Sequence, residues 1–345
     1  MSAGGLDTVS SPAFTDEETQ RFHAAGWWSE STLSDAVRRH ARQSPDRLAY
    51  VDDPGLTLTW REFDSAASGL ADRLAGAGVG RGDRVAVWHR DCAAIHVLFV
   101  AIERCGAVVV GIGARAGTRE VAAILRSAQP KMLISDEHRS AAATRAASDG
   151  SGDSPVTTLV LGRGADPLSL DTDAKPRALG IESQLGPDDV FLINSTSGTT
   201  GLPKCVVHTE NRWHYFHQQA VANGLLVPGD VFLPVIPTPF GFGLWTSHTT
   251  PIYLGATALV PGRPPPVRPY EQRVELPACR RRILTSSGTW QEAELVHRSQ
   301  LQADSMVFGP FLVEAPDSTT YVPPGCRLEV DRSGCLVLNL SGTGS

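Results

Sequence analysis

The strongest chemical signal in the chain is Ser195-Thr196-Ser197-Gly198-Thr199-Thr200-Gly201-Leu202-Pro203-Lys204, with five hydroxyl side chains, two glycines and a lysine in ten residues. Glycine lets a backbone approach a ligand closely, and successive N–H groups with hydroxyls form a concave nest for anions. Lys204 adds a mobile positive charge. A polyphosphate suits this combination; the competing reading is a polar surface turn. The spacing is not the G-x-x-x-x-G-K-[ST] of the P-loop. The stretch also leads into a second strand, Cys205 to His208, so a helix dipole is not the expected source of anion binding.

A second stretch, Pro234-Val235-Ile236-Pro237-Thr238-Pro239-Phe240-Gly241-Phe242-Gly243-Leu244-Trp245, mixes prolines that forbid a regular ladder with glycines flanking rings. It reads as a loop presenting rings to something flat or apolar, with simple packing as the alternative. The consecutive rings Trp213, His214, Tyr215, Phe216 and His217 read as a packed helix face. Nothing in the spacing of His208 or His214 demands catalysis.

These stretches need elements to hold them. A helix is expected around Ser34 to Arg42, with Ser34 as N-cap, then a strand at Leu48 to Val51. Thr59-Trp60-Arg61-Glu62 is a capping box, followed by Phe63, Ala67, Leu70 and Leu74 at helical spacing and ended by glycines from Gly76. Strands at Arg84–Trp88, Ala107–Val110 and Lys131–Ile134 alternate with helices at Ala93–Arg104 and Thr118–Ala128. Such alternation predicts an α/β fold, layered sheets with flanking helices. From His138 to Gly180 the pattern dissolves, apart from a strand at Thr157 to Leu161, and reads as an exposed connection. The apolar run Val190 to Ile193 is the strand that opens into the hydroxyl-rich loop, and Thr209 opens the ring-bearing helix.

Four segments are expected: a loose N-terminal arm (1–30), the α/β domain (31–260), a Pro- and Arg-rich linker (261–280) and a small β-rich C-terminal unit (281–345). In that last unit, strands are expected at Phe311–Glu314, Thr319–Val322, Arg327–Val330 and Cys335–Leu338. Arg280-Arg281-Arg282 lies near Glu271 and Glu275 and reads as a solvated face. A formal charge of −6 gives no electrostatic case for nucleic acid, and no apolar run reaches membrane-spanning length. Six scattered cysteines without a C-x-x-C pair read as reduced thiols with no metal site, in a cytoplasmic protein of unspecified oligomeric state.

The loop resembles the signature of the AMP-forming acyl-CoA synthetase and adenylate-forming ligase superfamily. Leu58-Thr59-Trp60-Arg61-Glu62-Phe63 is similar to that family's early "LTY-x-E-L" block, Gly80 to Val87 to its "GD-x-V-A" strand, Ala101 to Val110 to its "A-x-x-x-x-GA" block, and Pro237 to Leu244 to its acyl-pocket motif. The resemblance covers about residues 30–260. It implies a ligase that uses ATP, Mg2+ and coenzyme A: a hydrophobic or aromatic carboxylate attacks the α-phosphate, pyrophosphate leaves, and a thiol then displaces AMP. It also implies that Thr196, Ser197, Thr199 and Thr200 bind phosphate, that Gly198 and Gly201 permit the loop, that Lys204 supplies the charge, and that Phe240, Phe242 and Trp245 line the acid pocket. After Val260 no counterpart of the adenine, ribose, hinge or late-lysine motifs is present, which predicts an incomplete ligase domain. Residues 280–340, through Gly309-Pro310-Phe311-Leu312-Val313-Glu314 and Val322-Pro323-Pro324-Gly325, resemble the C-terminal end of the hydantoinase/oxoprolinase large-subunit family. Two other functions follow as alternatives: a non-catalytic nucleotide- or acyl-binding remnant or gene fusion, and a fragment of an ATP-dependent amidohydrolase.

Overall fold

The computed structural model describes residues 14–52, 55–152, 154–162, 166–180, 184–196, 204–261, 279–284, 289–302, 305–315, 318–331 and 336–339. The chain divides into two units, residues 1–265 and 266–345.

Unit 1 is built on a six-stranded sheet of β3 (Arg84–Trp88), β4 (Val108–Ile112), β5 (Met132–Ser135), β6 (Thr157–Val160), β7 (Val190–Thr196) and β8 (Lys204–Thr209), in the order β6-β5-β3-β4-β7-β8. All neighbours are parallel except β7 and β8, which form an antiparallel hairpin. Parallel strands covered on both faces read as continuous apolar runs. β3 shows why: Val85 and Val87 enter one core with α3 (Trp60–Gly76) and α4 (Ala93–Arg104), while Ala86 and Trp88 enter another with α5 (Thr118–Ala128) and α6 (Ser140–Gly150). The layered α/β architecture expected from the alternation is therefore present. A second sheet joins β1 (Leu48–Asp52), β2 (Thr57–Thr59), β9 (Val231–Phe232) and β10 (Thr257–Val260) in the order β2-β1-β10-β9.

Helix starts follow local chemistry. Thr59 accepts from the Glu62 N–H and Glu62 returns the bond to Thr59, as the capping box predicts. The N-cap of α2 (Leu33–Gln43) is Thr32, paired with Asp35, not Ser34. Ser34 lies inside the first turn, where its N–H donates to Glu103 and its hydroxyl accepts from Arg104. Two further expectations are corrected. Within the expected loose arm, residues 16–24 form α1 (Asp16–Ala24), opened by a Thr15–Glu18 capping box and held by Phe14, Phe22 and Trp28 ring contacts. Within the stretch expected as an exposed connection, α6 buries Ala143, Ala146 and Ala147 against the α5 layer. Alanine at helical spacing gives too little hydrophobic contrast to stand out from its Ser and Asp neighbours.

Unit 2 holds a four-stranded sheet, β11-β12-β14-β15, and a three-stranded sheet, β13-β16-β17, with strands β11 (Cys279–Leu284), β12 (Trp290–His297), β13 (Met306–Phe308), β14 (Phe311–Ala315), β15 (Ser318–Val322), β16 (Arg327–Val330) and β17 (Leu336–Asn339). Its small core centres on Val313, Val322 and Leu328. Arg280 and Arg281 pair with Glu292 and Glu314, and Arg282 lies over Trp290. Most of the expected linker, residues 262–278, lies outside the described residues.

Candidate functional site

Ligands of open α/β sheets bind outside the carboxyl ends of the strands, at the point where strand order reverses. Here β4 lies on one side of β3 and β5 on the other, so that point falls at the end of β3. Three loops gather on this edge, His89–Asp91 after β3, Gly113–Arg115 after β4 and Asp136–Arg139 after β5, and β7 ends on it at Thr196.

Ser197, Gly198, Thr199, Thr200 and Gly201 lie outside the described residues. The backbone at both mouths of the loop is placed: Thr196 ends β7 directly opposite Lys204, which begins β8. The loop therefore closes a β-hairpin, as the apolar flanks on both sides predict.

The Pro- and Gly-rich segment crosses the same edge, and glycines in β4 and just beyond it let it come close. A Cβ on Gly111 would sit 3.1 Å from the Pro239 ring, and one on Gly113 would sit 3.0 Å from the Phe240 ring. Buried Asn194, at the end of β7, donates from Nδ2 to the Pro239 carbonyl (3.2 Å). Its Oδ1 lies 3.0 Å from His208 Nε2, which must then carry the proton. Burial pushes the His208 imidazole down to about 4, with Arg212 adding to the effect, so the ring is neutral at pH 7.

Next to this bridge lies a cleft of about 360 Å³ lined by His208, Arg212, Trp213, Phe216, Gly241 and Phe242. Helix α7 (Glu210–Gly224) divides the run of rings. His217 is buried and Trp213 is half-buried, while Tyr215 and Phe216 are exposed, so only part of the run forms a packed face. Of the three expected pocket residues, Phe242 lines the cleft. Trp245 stands behind it, edge-on to both Phe242 and Phe216, and Phe240 packs on Gly113. His214 is not among the cleft-lining residues; its Nδ1 lies 3.3 Å from the Trp27 carbonyl.

A second cleft of about 170 Å³ opens at the strand-order reversal, lined by residues that include Arg90, Asp91, Arg115, Arg139 and Thr238. Asp136 engages Arg139 and the Arg90 N–H, and Asp91 accepts from the Thr238 N–H. Among the described residues no carboxylate pairs with the guanidinium of Arg90 or Arg115. Sequence reading missed this cleft because its arginines are far apart along the chain; their shared position just past a strand end is the signal that could have found them. Among the described residues there is no group of three or more His, Cys, Asp or Glu able to hold a metal, and no helix is long and apolar enough to cross a membrane.

With this geometry in place, the sequence profile of the "AMP-binding enzyme" family matches residues 37–282. The chain belongs to that family. It is 27% identical to pseudomonine synthase PmsE of Pseudomonas entomophila (strain L48) over 92% of this chain and 54% of that protein. It is 28% identical to a 2-hydroxy-7-methoxy-5-methyl-1-naphthoate–CoA ligase of Streptomyces carzinostaticus over 74% of this chain and 49% of that one. The solved apo structure of Mycobacterium smegmatis MbtA shares the fold, with a TM-score of 0.60 at 24% identity over 72% of this chain and 47% of that chain. The chain spans about half the length of these relatives.

Proposed function

We propose that this chain carries the adenylating centre of an AMP-forming carboxylate–CoA ligase whose acid is hydrophobic or aromatic. The observation that carries the reading is that, in a member of the AMP-binding family, strand β8, which follows the hydroxyl- and glycine-rich sequence, contributes His208 to a cleft walled by Trp213, Phe216 and Phe242. A naphthoate–CoA ligase among its relatives supports an aromatic acid. In this reading Thr196, Ser197, Thr199, Thr200 and Lys204, with the backbone at Gly198 and Gly201, hold the β- and γ-phosphates of ATP and orient pyrophosphate as the leaving group. Mg2+ enters with the nucleotide as its counter-ion. The cleft at Arg90 and Arg115, whose guanidiniums pair with no carboxylate among the described residues, suits a polyanionic second substrate such as coenzyme A.

Residues 31–260 are the ligase-like part in this reading, and residues 281–345 are an appended β unit. The resemblance of residues 280–340 to the hydantoinase/oxoprolinase C-terminus favours a fusion. The match to pseudomonine synthase, which at 92% of the chain runs past residue 265, favours a continuous ligase-related chain. Pyrophosphate exchange with a panel of aromatic, alicyclic and aliphatic acids tests the function. Acid-dependent exchange abolished by Lys204→Ala supports it, and absence of ATP binding by calorimetry overturns it in favour of a non-catalytic remnant. Turnover of hydantoin or oxoproline by the same chain would instead support the amidohydrolase resemblance.

A further inference from the structure

One amide side chain touches both halves of the candidate site. Asn194 lies two residues before the mouth of the hydroxyl-rich loop, opposite Val206 in β8 and opposite Gly111 in β4. Its two hydrogen bonds run in different directions. Oδ1 accepts from His208 on the strand that leaves the loop, and Nδ2 donates to the carbonyl of Pro239, the residue before Phe240 and cleft-lining Gly241. The Pro239 carbonyl can only accept, which fixes the amide orientation and with it the His208 tautomer. Gly111 makes the second contact possible, because a side chain there would crowd Pro239 away from the end of β7. The bond from Asn194 to Pro239 is buried, while the bond to His208, at the cleft wall, is part-buried.

We infer that Asn194 is a positioning residue that fixes the acid-binding loop relative to the phosphate-binding hairpin. The inference rests on the adenylation reading. Attack of a carboxylate oxygen on the α-phosphate needs the two reactants within about 3–3.5 Å and in line, and a displacement of about 1 Å costs on the order of a hundredfold. Each substrate keeps its own binding surface when the bridge is cut. The loss therefore falls on turnover and spares the separate affinities.

The test is steady-state pyrophosphate exchange by the full chain and three variants, with thermal melting as a folding control. Asn194→Asp keeps the acceptor for His208 and loses the donor to Pro239. Asn194→Leu loses both. Gly111→Ala leaves Asn194 intact but pushes Pro239 outward. The two Asn194 variants are expected to lower kcat by roughly ten- to a hundredfold, and Gly111→Ala, which displaces Pro239 by only a few tenths of an ångström, by less, while the KM values for ATP and acid move less than about threefold. If Asn194→Leu fails to fold, Asn194→Asp and Gly111→Ala carry the test. An unchanged kcat in the folded variants, or a loss carried by the KM values alone, overturns the positioning role while leaving the adenylation reading intact. If the unmodified chain shows no acid-dependent exchange, the adenylation reading falls and this inference falls with it.

Discussion

Two fully buried carboxyls, Glu103 on α4 and Glu210 at the start of α7, meet at the first turn of α2. Glu103 accepts from the Ser34 N–H (3.1 Å) and Glu210 Oε2 from the Leu33 N–H (2.6 Å), so together they satisfy two of the free donors of the helix. Burial raises both groups. Glu103 is pushed up to about 7, with Thr32, Ser34 and the Arg104 guanidinium pulling the other way, and Glu210 is raised further by its neighbour's charge. Glu210 Oε1 is buried with no donor in reach among the described residues, so a proton on that oxygen, directed at Glu103, satisfies it. Tyr253 completes the pocket at 3.4 Å from Oε2. The native pair thus holds protons that the unfolded chain releases near pH 4.5, so stability is full below that pH and falls as pH rises.

Glu210→Gln isolates this effect, because the amide mimics protonated Glu210 at every pH: its nitrogen can donate to Glu103 and its oxygen can accept from Leu33. Each pH unit over which Glu210 keeps its proton costs about 1.4 kcal/mol, or about 4 kcal/mol between pH 5 and 8 as an upper bound. Local relaxation and water entry reduce this, and about 2 kcal/mol is expected. At roughly 2–4 °C per kcal/mol for a domain of this size, the variant should melt about 4–8 °C above the unmodified chain at pH 8 and within about 1 °C of it at pH 5. Melting curves at four pH values suffice. A gap between the two proteins that stays constant from pH 5 to 8 would refute a shared proton at this site.

Three other outcomes follow from the same kind of reasoning. His96 and His248 face each other at 3.1 Å, both fully buried, with burial holding both imidazoles well below their usual range and His248 at about 3. The unfolded chain takes up these protons first, so stability should fall below pH 6.5 by about 1.4 kcal/mol per unit per ring, and His248→Asn should flatten that acid limb in denaturant titrations. Gly243→Ala would place a Cβ 2.0 Å from the Pro237 carbonyl oxygen, in the helical turn that carries Phe242; a loss of about 3 kcal/mol is expected by urea denaturation, with acid binding weakened. Arg115→Gln should raise the KM for coenzyme A in thioester formation and leave pyrophosphate exchange unchanged, because its cleft lies apart from the aromatic one.

What could be read in the sequence was whatever depended on near neighbours. The capping box at Thr59 and Glu62, the strand Arg84–Trp88 and the helix Thr118–Ala128 are found where the residues predict them, since each signal is complete within a few positions. Ser34 was misplaced because Thr32 and Asp35 compete for the same role, and the hydroxyl of Ser34 is taken by Arg104, 70 residues away. The arginine-lined cleft had no local signal at all: Arg90, Arg115 and Arg139 converge only because three parallel strands end on one edge. Asn194 reads in sequence as the polar end of an apolar run; its partners lie 14 and 45 residues away.

The spacing along β8 sets the scale of the site. Lys204 begins the strand at the loop mouth and His208, four residues on, lines the cleft, so the two lie about 13 Å apart at roughly 3.3 Å per residue. That backbone separation is of the length the proposed ligand would need, with phosphates at one end and an acyl group at the other. The same strand runs directly into α7, whose Arg212, Trp213 and Phe216 wall the cleft. The proposed phosphate grip and acid pocket would thus be consecutive parts of one segment, with their distance fixed by a paired strand. What the strand does not fix is the opposite wall, at Gly241 and Phe242, which reaches the sheet through Pro239. The Asn194 bridge and the bare Cα of Gly111 supply that missing constraint.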